Sequence, residues 1–213
     1  MKTYPERESN NISYYPPKTI ARFVALDIET TGYSPAKNRI VEIGLVEVLV
    51  RLHGYTDGEE TTTTVMTGTE YQGYFNPEVD YIHQSAIDVH GLTVDFLQDK
   101  PRFAEQIDPI AEFINGAQII AHNASFDVGF LAAEFTRCGR ELAYESAVCT
   151  LQIARDYWGV GGNGLGELCH RLRVPHDESQ LHGAIYDARL AAQCWIKLNE
   201  KGARQYYARE RTE

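Results

Sequence analysis

Two closely spaced acids mark the first position at which this sequence could do chemistry. Asp27 and Glu29 stand two residues apart at the end of an apolar run, so in a β-strand both carboxylates project from the same face. Like charges this close repel one another, and burial raises the energetic cost further. A bound cation relieves both penalties, so the pair indicates a metal site. A strand that simply runs out into solvent is the plainer alternative.

Two further acids lie in the first turns of predicted helices. Asp127 has Phe130 and Leu131 three and four residues ahead of it, which places its carboxylate on or beside the apolar stripe of that helix. Asp187 lies three residues after Ala184 and points towards an alanine-rich stripe in the same way. Taken alone, each acid is also explained by the favourable field at a helix N-terminus or by exposure to solvent.

A histidine stands close to the last of these acids. His182 precedes Asp187 by five residues and lies just outside the predicted helix start. A neutral imidazole near pH 7 accepts a proton from water, so His182 is a candidate general base, although a loop histidine needs no such role. All five candidates sit at the end of an element or in a loop, where the carboxyl edge of a sheet gathers functional sites.

Carboxylates without cysteine ligands make an oxygen-rich site, which favours Mg²⁺ or Mn²⁺ over zinc. Such sites usually hold two ions about 3.5–4 Å apart and act on phosphodiesters. We therefore expect two divalent cations and an anionic substrate. The four cysteines include no CxxC pair, which argues against a zinc site and fits reduced thiols in a cytoplasmic protein.

The composition of the whole chain limits the classes of function. Of the 213 residues, 43% are hydrophobic and 23% are charged, which is typical of one globular domain. The formal net charge of -10 argues against a general nucleic-acid coating protein, but not against an enzyme that grips a phosphodiester locally. No apolar run approaches the ~18 residues that would cross a bilayer, and the N-terminus lacks the apolar stretch of a secretory signal.

The elements that must position these residues follow from periodicity and turn signals. The first strand is apolar on both faces, so we expect it to be central in its sheet. The pattern predicts strands at 22–29, 39–50 and 118–121, β-prone stretches at 61–65 and 71–75, a turn at Asp57-Gly58, helices at 103–114, 125–138, 164–172 and 183–198, and a strand end followed by a helix across 148–158.

This order of elements predicts an α/β fold. A strand meander followed by helix, strand and helix gives a mixed sheet flanked by helices. We expect residues 1–20 to form a flexible N-terminal arm, residues 21–200 to form the folded domain, and residues 201–213 to form a charged C-terminal tail.

Three stretches resemble the exonuclease motifs of the DEDDh class. They read Asp27-Ile-Glu29-Thr-Thr-Gly32, His122-Asn-Ala-Ser-Phe-Asp127 and His182-Gly-Ala-Ile-Tyr-Asp187, in the family's order and with histidine at its variable position. The segments at 77–91 and 100–103 further resemble the epsilon-type proofreading subunits of bacterial replicative DNA polymerases. The resemblance covers about residues 22–198.

The resemblance implies a ribonuclease-H-like fold with a five-stranded sheet. It also implies a 3′→5′ exonuclease that releases nucleoside 5′-monophosphates from the 3′ end of DNA. Asp27, Glu29 and Asp187 would hold the tighter ion. Asp127 would hold the second ion, to which Asp27 would bridge, and His182 would be the general base.

The same resemblance implies contacts with the 3′ end of the substrate for four residues, Thr30, Thr31, Asn123 and Phe126. For Phe126, stacking on a base and packing in the core are both open. The stretch from Leu52 to Gln72 is longer than in the family and has no assigned role. The family implies a polymerase partner, although the sequence has no counterpart of the long C-terminal segment by which such subunits reach it.

Two other functions stay open on the sequence alone. An RNA-trimming exonuclease resembling RNase T or oligoribonuclease would use the same chemistry, and the sequence has no clear residue for reading the sugar. A non-catalytic nuclease-like domain would only bind nucleic acid or a partner protein. The presence of all five motif residues argues against this last function.

Overall fold

A mixed five-stranded sheet forms the centre of the fold. The computed structural model describes residues 20–53 and 62–210. The strands are β1 Ile20–Thr30, β2 Ile40–His53, β3 Thr62–Tyr74, β4 Gln118–Ala121 and β5 Ser146–Cys149. They lie in the order β3-β2-β1-β4-β5; β1, β2 and β3 are antiparallel neighbours, and β4 and β5 are added in parallel. The predicted mixed sheet, antiparallel meander and central first strand are confirmed.

Helices flank this sheet. The described residues form α1 Gln84–His90, α2 Val94–Leu97, α3 Ile107–Ile114, α4 Ala124–Arg137, α5 Thr150–Trp158, α6 Leu165–Leu172 and α7 Ala184–Glu210, with 3₁₀ turns at Phe103–Glu105 and Glu178–Gln180. The predicted helices that correspond to α4 and α6 begin and end within one residue of these bounds, and the strand end and helix predicted across 148–158 correspond to the end of β5 and to α5. Within the described ranges, no helix is long and apolar enough to cross a membrane.

Two predicted helices differ from the structure at one end. The helix predicted over 103–114 is a 3₁₀ turn followed by α3. A continuous helix would place the ring of Pro109 against the carbonyl of Glu105, so the α-helix starts later, with Pro109 in its first turn. The last helix was predicted to end at Leu198 but continues to Glu210. Gly202 costs only about 1 kcal/mol in a helix, and its neighbours are good helix formers.

The third strand is continuous, whereas composition predicted two separate β-prone stretches. An irregularity in its pairing with β2, between Val46 and Val48, separates the two stretches without ending the strand. The predicted turn at Asp57-Gly58 lies outside the described residues, as do residues 1–19 of the predicted arm and 211–213 of the predicted tail. The division of the chain into arm, domain and tail therefore stays a prediction.

The two faces of β1 pack against different helices. Val24 and Leu26 belong to the core that includes α3 and α4. Phe23 belongs to a second core with the alanines of α7, and its ring centroid lies 4.5 Å from that of Trp195. Because side chains alternate along a strand, the two acids at the end of β1 share the face of Phe23, as predicted. The structure adds that α7 covers this face.

A glycine allows the start of α7 to approach the sheet. A Cβ atom added to Gly44 of β2 would lie 2.4 Å from the backbone carbonyl of Ala184. No larger residue fits at this position without moving α7, because real Cβ atoms do not come so close to backbone. This close approach places the first turn of α7 beside the end of β1, and it thereby positions Asp187.

Candidate active site

Five carboxylates from four elements meet where β1 ends beside the start of α7. Asp27 and Glu29 end β1, and Glu42 is the cross-strand partner of Glu29 on β2. Asp127 and Asp187 lie in the first turns of α4 and α7. Asp27 is partly buried, and the other four expose between 2% and 9% of their surface. The fold thus brings together all four acids that the sequence singled out.

The two acids of β1 are strongly perturbed by this crowding. Burial raises the pKa of Asp27 well above its usual range, and the negative charges of Asp127, Glu29, Asp187 and Glu42 raise it further. Burial, followed by the charge of Glu42, raises the pKa of Glu29 to about 9. At neutral pH and without a cation, the cluster therefore retains protons that ordinary carboxyl groups would have lost.

The two helix acids show the same effect with some compensation. Burial raises the pKa of Asp127, although the backbone N–H groups of Ile28 and of Asp127 itself donate to its carboxylate and oppose the rise. Burial also raises the pKa of Asp187, whose Oδ2 atom accepts a hydrogen bond of 3.0 Å from the backbone N–H of His182. The other oxygen, Oδ1, is buried and accepts no hydrogen bond from the described residues.

The described part of the chain places no Lys or Arg partner against the cluster. Among residues 20–53 and 62–210, the ion pairs with Lys or Arg involve other acids, and none involves the five carboxylates. Such an arrangement is unfavourable unless protons or cations from outside the chain neutralise it. The donor set consists entirely of carboxylate oxygens, the ligands that Mg²⁺ and Mn²⁺ prefer.

His182 is the exposed member of the site. Its backbone is left-handed, with φ of 67°, and this conformation turns the chain into α7 just after it. One ring nitrogen of His182 and one carboxylate oxygen from each of Glu29 and Asp187 lie within 4.8 Å of one another. The predicted proximity of His182 to the acids is therefore found, and its ring is open to solvent.

The two threonines after β1 shape the turn with their side chains. The hydroxyl of Thr30 donates to the carbonyl of Gly32 at 2.7 Å, and Thr31 Oγ1 accepts from the backbone N–H of Arg39 at 3.0 Å. Both residues are buried. Their predicted contacts with substrate stay predictions, and their hydroxyl groups already have partners within the turn.

The other two predicted substrate contacts lie at the start of α4. Asn123 is exposed and adopts a left-handed backbone conformation with φ of 78°, but its side chain does not cap the helix. Phe126 is partly buried, and its ring centroid lies 4.9 Å from that of Phe130 in the core. One side of the Phe126 ring thus packs in the interior, and stacking on a base stays a prediction.

Glu42 is the member of the cluster that the sequence reasoning missed. Its Oε1 atom accepts a hydrogen bond of 2.8 Å from Gln72, whose amide also lies 3.0 Å from the hydroxyl of Tyr74. Burial and the charge of Glu42 raise the pKa of Tyr74 to about 12. The signal in the sequence was an acid between Val41 and Ile43, in a strand that is otherwise apolar over this stretch.

Similarity to known proteins agrees with this geometry. A family model described as "Exonuclease" matches residues 24–194. DNA polymerase III subunit epsilon of Escherichia coli strain K12 is 33% identical over 188 residues, which cover 84% of this chain and 72% of that protein. The same subunit of Rickettsia felis is 37% identical over 189 residues, which cover 86% of this chain and 76% of that protein.

Solved structures of exonucleases share the fold. Exonuclease X in complex with 5′ overhanging duplex DNA matches with a TM-score of 0.58 and 22% identity, over 86% of this chain and 93% of its own. Escherichia coli exonuclease I in complex with a dT13 oligonucleotide matches with a TM-score of 0.67 and 19% identity, over 87% of this chain and 43% of its own. By its family match and its similarity to the epsilon subunits, this chain belongs to the exonuclease family.

Proposed function

We propose that this chain is a metal-dependent 3′→5′ exonuclease of the proofreading type. It would hydrolyse the terminal phosphodiester bond at the 3′ end of single-stranded or frayed DNA and release nucleoside 5′-monophosphates. The observation that carries the proposal is a cluster of five carboxylates, four buried and one partly buried, which has no Lys or Arg partner among the described residues and lies beside an exposed histidine. DNA is favoured as the substrate because the epsilon relatives are subunits of a DNA polymerase.

The residues of the site fit a pair of divalent cations. All donors are oxygens, the carboxylates raise one another's pKa values, and Asp187 Oδ1 is buried without a hydrogen-bond donor. Following the family pattern, we assign Asp27, Glu29 and Asp187 to the first ion and Asp127, with Asp27, to the second. When bound, two such ions activate a water molecule and stabilise the leaving 3′-oxygen. Glu42 is bonded to Gln72 and adds negative charge beside these ligands.

The protein groups around the ions would position the substrate and move a proton. His182 lies beside Glu29 and Asp187 with its ring in solvent, so we assign it to take the proton from the attacking water. The backbone N–H of His182 donates to Asp187, which holds the end of the loop before α7 against a proposed metal ligand. We assign Asn123, which is exposed, and Phe126, which is partly buried, to contact the last nucleotide from the start of α4.

The experiment that tests this proposal compares DNA and RNA oligomers of matched sequence, each labelled at the 5′ end. We expect stepwise shortening from the 3′ end in Mg²⁺ or Mn²⁺, with DNA degraded faster than RNA and a blocked 3′ end resistant. EDTA should abolish the reaction, and Asp27→Ala should reduce it to background. Asp95→Asn, a change of an exposed acid outside the cluster, should leave the rate unchanged and is the matched control.

Three outcomes of this experiment would contradict the proposal. Faster digestion of RNA would favour an RNA-trimming enzyme instead. Recovery after EDTA with Zn²⁺ but not with Mg²⁺ or Mn²⁺ would contradict the oxygen-ligand argument. Full activity of Asp27→Ala would remove the carboxylate cluster from the reaction.

The naming of the relatives as polymerase subunits also supports a partner for this chain. We propose that it acts in the cytoplasm beside a replicative DNA polymerase. Mixing the purified chain with the polymerase subunit of the same cell and measuring co-elution tests this directly, since an epsilon-like subunit should elute in the complex.

A further inference from the structure

A second group of metal-ligating side chains lies outside the carboxylate cluster. His170 is in the last turn of α6, His176 follows in the loop, and Glu178 begins the 3₁₀ turn that leads towards His182. One donor atom from each of the three side chains lies within 4.8 Å of the other two. His170 Nε2 lies 3.1 Å from Glu178 Oε1, and the two imidazole rings have their centroids 4.6 Å apart.

The hydrogen bonding of His176 leaves one ring nitrogen ready to accept a cation. Its Nδ1 atom lies 3.1 Å from the backbone carbonyl of Val174, so Nδ1 carries the proton and donates it. The other nitrogen, Nε2, then has a free lone pair, and it is buried with no hydrogen-bond partner among the described residues. Histidines that bind metals in proteins commonly donate a hydrogen bond from one ring nitrogen to a backbone carbonyl, while the other ring nitrogen binds the metal. His176 has this arrangement, with Nδ1 as the donor and Nε2 free.

The spacing of the three donors also suits a small transition-metal ion. At Zn–N and Zn–O distances of about 2.0–2.2 Å, donors around a tetrahedral zinc lie about 3.3–3.6 Å apart. His170 and Glu178 are exposed side chains, with 65% and 72% of their side-chain surface accessible, so each can adjust by the small distance required. Imidazole nitrogen suits zinc, copper and nickel, whereas Mg²⁺ and Ca²⁺ prefer sites made only of oxygen.

We propose that His170, His176 and Glu178 form a second metal site, which binds Zn²⁺ or a similar transition-metal ion. The cysteine spacing, from which we expected no zinc site, concerns thiolate ligands and has no bearing on imidazole and carboxylate donors. The site does not depend on the proposed nuclease function, since it shares no residue with the carboxylate cluster.

The position of this site gives the ion a structural effect. It would join the end of α6 to the segment that runs from Glu178 to His182. The backbone N–H of Asp177 already donates to the hydroxyl of Tyr186 on α7 at 2.6 Å, next to Asp187. A bound ion would therefore stabilise the loop that carries the proposed general base.

The test measures zinc binding directly, in a chain whose carboxylate cluster has lost two of its proposed metal ligands. The parent variant carries Asp27→Ala and Asp187→Ala, and it is stripped of metal before titration with Zn²⁺ against a chromophoric chelator. We expect the parent to bind one zinc ion tightly. Adding either His170→Ala or Glu178→Gln to the parent should weaken this binding at least tenfold. Zinc should raise the Tm of the parent, and the rise should be smaller or absent in these variants.

Controls make the result decisive. His170 and Glu178 are exposed, so their variants should fold, and the same Tm in EDTA as the parent verifies this. His83→Ala, at an exposed histidine outside the cluster, should bind zinc as the parent does. A Zn²⁺ affinity unchanged by both His170→Ala and Glu178→Gln would overturn the proposal, as would a parent that binds no zinc. The same two substitutions are then made in the otherwise wild-type chain. If its Mg²⁺-dependent nuclease activity is unchanged although the substitutions remove zinc binding in the parent, the second site is separate from the proposed function.

Discussion

Two buried acids on the same face of α4 are treated in opposite ways by the fold. Asp127 and Glu134 are seven residues apart, so both point from the helix towards the sheet. Glu134 Oε1 accepts from Arg39 Nε at 2.7 Å and from the backbone N–H of Ile40 at 3.2 Å, and it lies 3.3 Å from Arg137 Nη1. Asp127 accepts only from backbone N–H groups among the described residues, and its negative charge acts on the carboxylates of Asp27 and Glu29.

This contrast shows where the described part of the chain supplies its own cations and where it does not. At Glu134, two guanidinium groups neutralise the charge and hold the strand β2 against α4. Arg39 also joins this ion pair to the turn after β1 through its backbone contacts with Thr31. At Asp127, no guanidinium or ammonium group of the described residues does the same. A structural acid is thus balanced within the protein, and a cluster left unbalanced is suited to ions that come from outside.

We expect the largest effect in the carboxylate cluster, where His182 is assigned to take the proton from the attacking water. His182→Ala should lower the turnover of DNA hydrolysis by roughly 10²–10⁴-fold, because a positioned general base contributes about that much. Binding of Mn²⁺ should be retained, since the carboxylates are intact. Single-turnover kinetics beside a Mn²⁺ titration separate the two quantities. An unchanged rate would remove His182 from the reaction.

A substitution at Glu134 should change the stability of the protein. Glu134→Ala leaves the guanidinium groups of Arg39 and Arg137 without their buried partner, so we expect a loss of about 3 kcal/mol in the free energy of unfolding. Denaturant unfolding in EDTA measures it. Glu141→Ala, an exposed acid close to the same helix, should change stability by less than about 0.5 kcal/mol and is the matched control. Equal effects of the two substitutions would show that Glu134 is not balanced as the contacts indicate.

The sequence predicted the members of this site better than their surroundings. Alternation along β1 placed Asp27 and Glu29 on one face, and helical periodicity placed Asp127 and Asp187 towards the core, because these are local properties of strand and helix. Glu42 escaped because its role depends on the register between β1 and β2, which sets Glu29 opposite Glu42. The pairing of Arg39 with Glu134 and the grouping of His176 with His170 also depend on tertiary packing, which periodicity does not encode.

The raised pKa values of the carboxylate cluster should also make the stability of the protein depend on pH. The pKa of Glu29 is about 9 in the folded chain, and those of Asp27, Asp127 and Asp187 are also raised, mainly by burial. Acids whose pKa is raised by folding favour the folded state at low pH, and this contribution is lost as pH rises from about 4 through the folded pKa. In EDTA, the Tm should therefore fall between pH 5 and pH 9.

Removing one charge from the cluster provides the matched comparison. Asp127→Asn keeps an oxygen that can accept the same backbone N–H groups but removes one negative charge. In EDTA at pH 8 it should therefore be more stable than the wild type by about 1 kcal/mol, or about 2–4 °C in Tm. In saturating Mg²⁺ the order should reverse, since the wild type gains stability from the ion that it binds better. An Asp127→Asn variant that is less stable than the wild type in EDTA would mean that the cluster is balanced without metal, and the contrast with Glu134 would then disappear.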